Sequence, residues 1–162
     1  RHVLNSGLLG ELIQPGDNVV DVGSGAGLPG IPMAIAVPEA HFTLVEPMER
    51  RSNWLASVVQ ELGLENVEVI RSRAEDLERT DFTVATARAV AALDKLLRLL
   101  TPLIRGTKSG TVLAMKGSKA PEEIQLAAKR MERLGFEAPE ILTLGEGKAP
   151  ETATVVRIRL KA

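Results

Sequence analysis

The stretch Asp21-Val22-Gly23-Ser24-Gly25-Ala26-Gly27-Leu28-Pro29-Gly30 constrains the fold more than any other part of the chain. It follows the apolar run Asn18 to Val22, which reads as a first strand entered through the turn Pro15-Gly16-Asp17. A helix is predicted from about Pro29, where proline suits a first turn, and it ends before Pro38. Closely spaced glycines let the backbone turn with positive φ and come close to a ligand. Strand, glycine loop and helix in succession belong to a doubly wound α/β sheet, whose loops at the carboxyl ends of the strands bind ligands.

The rest of the chain keeps that alternation, so a mostly parallel sheet covered by helices on both faces is expected. His41 to Glu46 reads as the second strand. The following helix carries Trp54, Leu55, Val58, Val59 and Leu62 on one apolar face and is capped by Gly63. Trp54 is thereby expected in the core. Val67 to Ile70, Phe82 to Ala85 and Thr111 to Met115 read as strands three to five. Leu93, Leu96, Leu97 and Leu100 form a helical stripe with Pro102 near its end. Ile124, Ala127, Ala128, Met131 and Leu134 form another, closed by Gly135. Ile141 to Leu144 and Thr154 to Leu160 read as a closing pair. In the latter, Val156, Ile158 and Leu160 alternate with Arg157, Arg159 and Lys161, which predicts one wet face.

Composition narrows the function. The 162 residues suffice for one domain over 1–162, and 44% hydrophobic with 25% charged residues is ordinary for a globular chain. No apolar run reaches the roughly 18 residues of a membrane span, and Arg1 to Gly10 holds no signal-peptide core. Without cysteine there are no disulfides or thiolate metal sites, and no metal cluster is visible. A cytoplasmic protein, with no membrane or metal partner and working as a monomer, is the expectation. The formal net charge of −1 argues against nonspecific nucleic-acid binding by the whole surface, although a local basic patch remains open. One Trp, three Phe and no Tyr argue against a broad stacking platform. Arg1, not Met, opens the chain, which reads as a fragment or a trimmed chain.

Two ligands compete for the loop. Gly25, Gly27 and Gly30 fit the G-x-G-x-x-G pattern of dinucleotide enzymes. Gly23, Gly25 and Gly27, preceded by Asp21, fit the acidic-x-G-x-G-x-G pattern of S-adenosylmethionine enzymes. Charge separates them. A carboxylate at the strand end repels a pyrophosphate but attracts an ammonium and a sulfonium, directly or through water. Glu46, at the end of the second strand, is placed to hold ribose hydroxyls under either reading. The methyl donor is favoured. A nicotinamide-dependent oxidoreductase using Gly25, Gly27, Gly30 and Glu46 and a purely structural turn are the alternatives.

Further segments carry a resemblance over nearly the whole chain. Arg1-His2-Val3-Leu4-Asn5-Ser6 resembles the R-H-x-x-D-S segment of the glucose-inhibited division protein B methyltransferases, and the loop resembles their D-V-G-T-G-x-G-L-P-G-I-P. Glu46 with Arg50-Arg51, Arg73-Ala74-Glu75, Thr86-Ala87-Arg88-Ala89 and Met115-Lys116-Gly117 follow that family's pattern in order and spacing. The resemblance implies a Rossmann-like class I methyltransferase, with a mostly parallel twisted sheet, helices on both faces and an antiparallel C-terminal strand. It implies S-adenosyl-L-methionine as cofactor and N7 of a guanine in 16S ribosomal RNA, free or in the small ribosomal subunit, as acceptor. It places Gly23, Leu28, Ala74, Glu75 and Arg88 around the cofactor, beside Asp21, Gly25, Gly27 and Glu46. The chain departs from the family in three places. It begins after the helical segment with W-N-x-x-x-N-L; Thr86-Ala87 replaces a small polar residue; and Glu151 to Val156 lacks the arginine of E-R-x-L-V-V. A non-catalytic methyltransferase-like binding module is therefore a further alternative, and so is methylation of a small molecule.

Guanine N7 attacks with a free lone pair and loses no proton, so no general base is required and none is assigned. The work is positioning reacting atoms about 3–3.5 Å apart. Arg88, just past the fourth strand, is a candidate for the donor's carboxylate or an RNA phosphate, and Lys116, ending the fifth strand, is a candidate for substrate. The bland alternatives are a surface ion pair for Arg88, a solvated lysine for Lys116 and a first-turn helix carboxylate for Glu75. Arg50, Arg51, Arg71 and Arg73 form a phosphate-facing patch or pair with Glu49 and nearby acids.

Overall fold

The structure, a computed structural model, describes residues 6–87, 91–147 and 152–162. Among these, seven strands form one sheet in the order β3-β2-β1-β4-β5-β7-β6. They are β1 (Asn18–Val22), β2 (His41–Val45), β3 (Val67–Ile70), β4 (Val84–Ala87), β5 (Thr111–Met115), β6 (Glu140–Leu144) and β7 (Ala153–Arg159). The first five run parallel, and β7 runs antiparallel to both β5 and β6. The mostly parallel sheet is what the strand–helix alternation predicts, and its antiparallel C-terminal edge is what the family resemblance implies.

Among the described residues, helices α1 (Gly30–Ala36), α2 (Glu49–Glu61), α3 (Leu93–Ile104) and α4 (Ala120–Leu134) cover the two faces. On one face Leu93, Leu96, Leu97 and Leu100 of α3, with Ala127 and Met131 of α4, pack on Val20, Ala85, Val112 and Val156. On the other, Met33 and Ala34 of α1 pack on Val19, Phe42 and Val84. Leu55 of α2 closes that same face against Leu44 and Ile31. Alternate strand residues thus serve opposite cores, as two-sided burial of a parallel sheet requires. Gly135 (φ 84°) ends α4 in the left-handed conformation that a β-carbon disfavours.

Three details differ from expectation. Strand β4 starts at Val84 and runs to Ala87, two residues beyond the span read from sequence. Ala85 and Ala87 have weak strand preference, but Thr86 and Ala87 complete the ladder opposite Asp21 and Val22. Trp54 does not enter the core. Ser52 and Leu55 are the buried residues of α2, and Trp54, turned about 100° from Leu55, is left 49% exposed. Strand β7 lies between β5 and β6, so Ala153 and Val155 join the α1-side core. Arg157 and Arg159, which pair with Glu140, and the exposed Lys161 keep the expected wet side.

Candidate functional site

The strand order reverses between β1 and β4: β2 and β3 lie on one side of β1, and β4 and β5 on the other. A crevice opens outside the carboxyl ends of the strands at such a reversal. The glycine loop leaves β1 there. Gly23 (φ 70°), Gly25 (φ 49°) and Gly27 (φ 85°) all adopt conformations that side chains resist. The Gly23 and Ser24 N–H groups donate to the Val45 carbonyl at 2.8 and 3.2 Å, so the loop folds over the end of β2.

A β-carbon on Gly23 would meet nothing within 4 Å. That residue faces open space. Gly27 and Gly30 lie deeper. A β-carbon on Gly27 would stand 2.6 Å from Ile31 Cδ1, and one on Gly30 would run into Leu44 and stand 2.7 Å from Asp21 Oδ2. The outer glycine leaves room for a ligand, whereas the inner ones let α1 close on the sheet.

Asp21 sits beneath the loop and is 1% exposed. Its Oδ2 accepts from the Ser24 hydroxyl and the Gly30 N–H, both at 3.0 Å, and its Oδ1 accepts from the Thr86 hydroxyl at 3.2 Å. The carboxylate therefore joins β1, the loop, the start of α1 and β4. Glu46 is also buried, at 3% exposure. Its Oε1 accepts from the Gly25 N–H at 3.0 Å and its Oε2 from the Met48 N–H at 2.9 Å. Each oxygen keeps a further lone pair for a hydroxyl donor.

Leu28 is half-buried in the loop. Ala74 is buried and Glu75 exposed on a short 3-10 turn, Ala74–Asp76, just after β3. Arg88 lies outside the described residues. Lys116 is not a rim lysine in solvent. Its side chain is 2% exposed, with Nζ 3.0 Å from Glu123 Oε1 and donating to the Ala91 carbonyl at 2.6 Å. The same Glu123 oxygen accepts the Leu93 N–H at 2.9 Å. Among the four arginines, Arg71 pairs with Glu49 at 3.5 Å. Arg51 reaches toward the loop, its Nη1 4.0 Å from the β-carbon position of Gly25.

Three contributors were missed in the sequence reading: Thr86 on Asp21, Ser24 on Asp21, and Glu123 with Lys116. The first and last are pairings between residues 65 and 7 positions apart on different elements, and nothing in local spacing marks them. The described residues hold no group of three or more His, Cys, Asp or Glu placed for a metal, and no helix long and apolar enough to cross a membrane.

The architecture has close counterparts. An O-methyltransferase of Thermotoga maritima, described as dependent on S-adenosylmethionine, superposes with a TM-score of 0.74 at 16% identity; the match covers 98% of this chain and 65% of that one. A TYW2 protein of M. jannaschii in complex with AdoMet superposes with a TM-score of 0.72 at 17% identity, covering 98% and 74%. At such identities the likeness concerns the fold, which is that of Rossmann-like methyltransferases. Sequence relatives go further. A ribosomal RNA small subunit methyltransferase G from Pseudarthrobacter chlorophenolicus is 51% identical over 159 residues, 98% of this chain and 73% of the relative. One from Mycolicibacterium smegmatis is 48% identical over 166 aligned positions, 100% of this chain and 69% of the relative. Residues 1–152 match the model of the GidB family, described as rRNA small subunit methyltransferase G, and the chain belongs to that family.

Proposed function

We propose that this chain transfers a methyl group from S-adenosylmethionine to N7 of a guanine in 16S ribosomal RNA. One observation carries the reading: the segment that matches the family holds a cradle open above Gly23 and bounded by the buried carboxylate of Glu46. A nucleoside with an attached amino acid fits that chemistry. Glu46 has acceptor capacity left for ribose hydroxyls. Ala74 and Glu75, on the turn after β3, border the adenine side. Gly23, Gly25, Gly27 and Leu28 form the floor. Asp21 acts through the loop, because its carboxylate is engaged by Ser24, Gly30 and Thr86 and holds their geometry.

When bound, S-adenosylmethionine supplies a methyl group activated by its sulfonium. The guanine N7 lone pair needs no deprotonation, so the chain's task is to orient two partners and exclude water. Arg88, next in sequence after the end of β4, is assigned to this positioning. Arg88→Ala is expected to lower methyl transfer far more than thermal stability; an active but unstable variant would remove it from the site.

The test has two stages. Calorimetric titration with S-adenosylhomocysteine, with NADH as control, is expected to show binding of the former alone. Selective NADH binding would overturn the reading in favour of a nicotinamide enzyme. Incubation with radiolabelled donor and 16S transcript or small subunits, followed by chemical cleavage at N7-methylguanine, then tests the acceptor. Label at another atom would reject N7.

A further inference from the structure

Trp54 is the chain's single tryptophan, and it stands 49% exposed on α2. Helical spacing places Arg50 and Arg51, four and three residues earlier, beside it. Both arginines are exposed, and among the described residues neither makes an ion pair; the neighbouring Glu49 is engaged by Arg71. Helix α2 begins just past the end of β2, next to the glycine loop, and Arg51 reaches to within 4.0 Å of the β-carbon position of Gly25. The face therefore borders the crevice.

An indole half in water leaves an apolar ring face that the described fold does not cover. Arg50 and Arg51 are exposed cations with no carboxylate paired to them among the described residues. An unpaired nucleic-acid strand answers both, because a base stacks on the ring and phosphates accept from the arginines. The overall charge of −1 means that attraction for a polyanion has to come from such a local patch.

We propose that Arg50, Arg51 and Trp54 form a docking face for an unpaired stretch of the substrate RNA, leading the strand into the crevice. The inference rests on ribosomal RNA as acceptor. It adds where the RNA is held and by what chemistry.

The chain has no tyrosine, so its emission near the red edge of protein fluorescence belongs to Trp54. Titration with 16S transcript is expected to quench that emission, and a fully paired RNA duplex of equal length is expected to change it little. Trp54→Ala should weaken transcript binding about tenfold while Trp54→Phe keeps most of the affinity. Arg50→Gln should lower the slope of log affinity against log salt by roughly 0.7, the value of one single-strand phosphate contact. Thermal unfolding of each variant, expected near that of the parent, separates binding from folding.

Transcript binding with unchanged emission, and equal binding by Trp54→Ala, would overturn the docking face. If the parent methylates 16S RNA and Trp54→Ala does so equally well, the docking face alone falls. If the transcript quenches Trp54 but accepts no methyl group, the docking face stands and the proposed reaction falls. A change in emission with whole small subunits but not with their RNA would assign the face to a ribosomal protein and overturn the proposal.

Discussion

Side chains added at Gly23 and Gly30 would act through different forces. Gly23 has a positive φ and open space around its β-carbon position, so Gly23→Val meets backbone strain of about 1–3 kcal/mol but no collision inside the protein. What it fills is the space proposed for the ligand. S-adenosylhomocysteine binding is expected to vanish in calorimetry while the folded state persists by circular dichroism. Retained affinity would move the cofactor elsewhere. Gly30→Ala instead drives a methyl group into Leu44 and Asp21 in the packed interior, so thermal denaturation is expected to show the larger loss. Thr43 offers a change of opposite sign. It is fully buried in β2, and its hydroxyl has no hydrogen-bond partner among the described residues. Valine keeps the branched shape and removes the unsatisfied group, so Thr43→Val is expected to raise stability by about 1 kcal/mol in urea unfolding. A loss of that size would show that the hydroxyl is satisfied in solution.

Elements are joined to one another at the ends of β5 and α3. Lys116 leaves β5, Glu123 lies in the first turn of α4, and both reach the start of α3 through Ala91 and Leu93. Lysine at a strand end reads as a rim residue from sequence because its partners are not local: Ala91 lies 25 residues away. Removing only the cation leaves Glu123 mostly buried beside one N–H. Lys116→Met is therefore expected to cost about 2–3 kcal/mol. Adding Glu123→Gln, which carries no charge to strand, is expected to recover about 1 kcal/mol or more of that loss. A double-mutant cycle in denaturant measures the coupling. Additive losses would mean that the pair does not act as a unit. If Lys116 instead holds RNA, methyl transfer by Lys116→Met falls without rescue by the second change.

At the scale of the molecule, legibility followed the range of the interaction. The glycine loop, the apolar stripe of α3 and the αL end of α4 depend on neighbours within a few residues, and their sequence patterns point to them. The exposure of Trp54 is not legible in its apolar spacing because α2 is amphipathic over a narrow arc: Leu55 and Ser52 face the sheet, and a ring one residue away does not. The role of Asp21 was only half visible. Its place before the glycines was plain, but its bond to Thr86 exists only because β1 and β4 are neighbours, 65 residues apart in the chain. What these long-range contacts build is a crevice, and in the proposed reaction its work is orientation. That has a kinetic signature. A base-catalysed transfer follows the titration of the base. In the proposed reaction N7 has no proton to remove, and Glu46 and Asp21, the two buried carboxylates described in the crevice, serve backbone N–H and hydroxyl donors. The single-turnover rate with saturating donor and RNA is expected to be flat between about pH 6 and pH 8, where a base poised for catalysis would titrate. A rate rising tenfold per pH unit across that range would require a general base and would overturn catalysis by positioning alone.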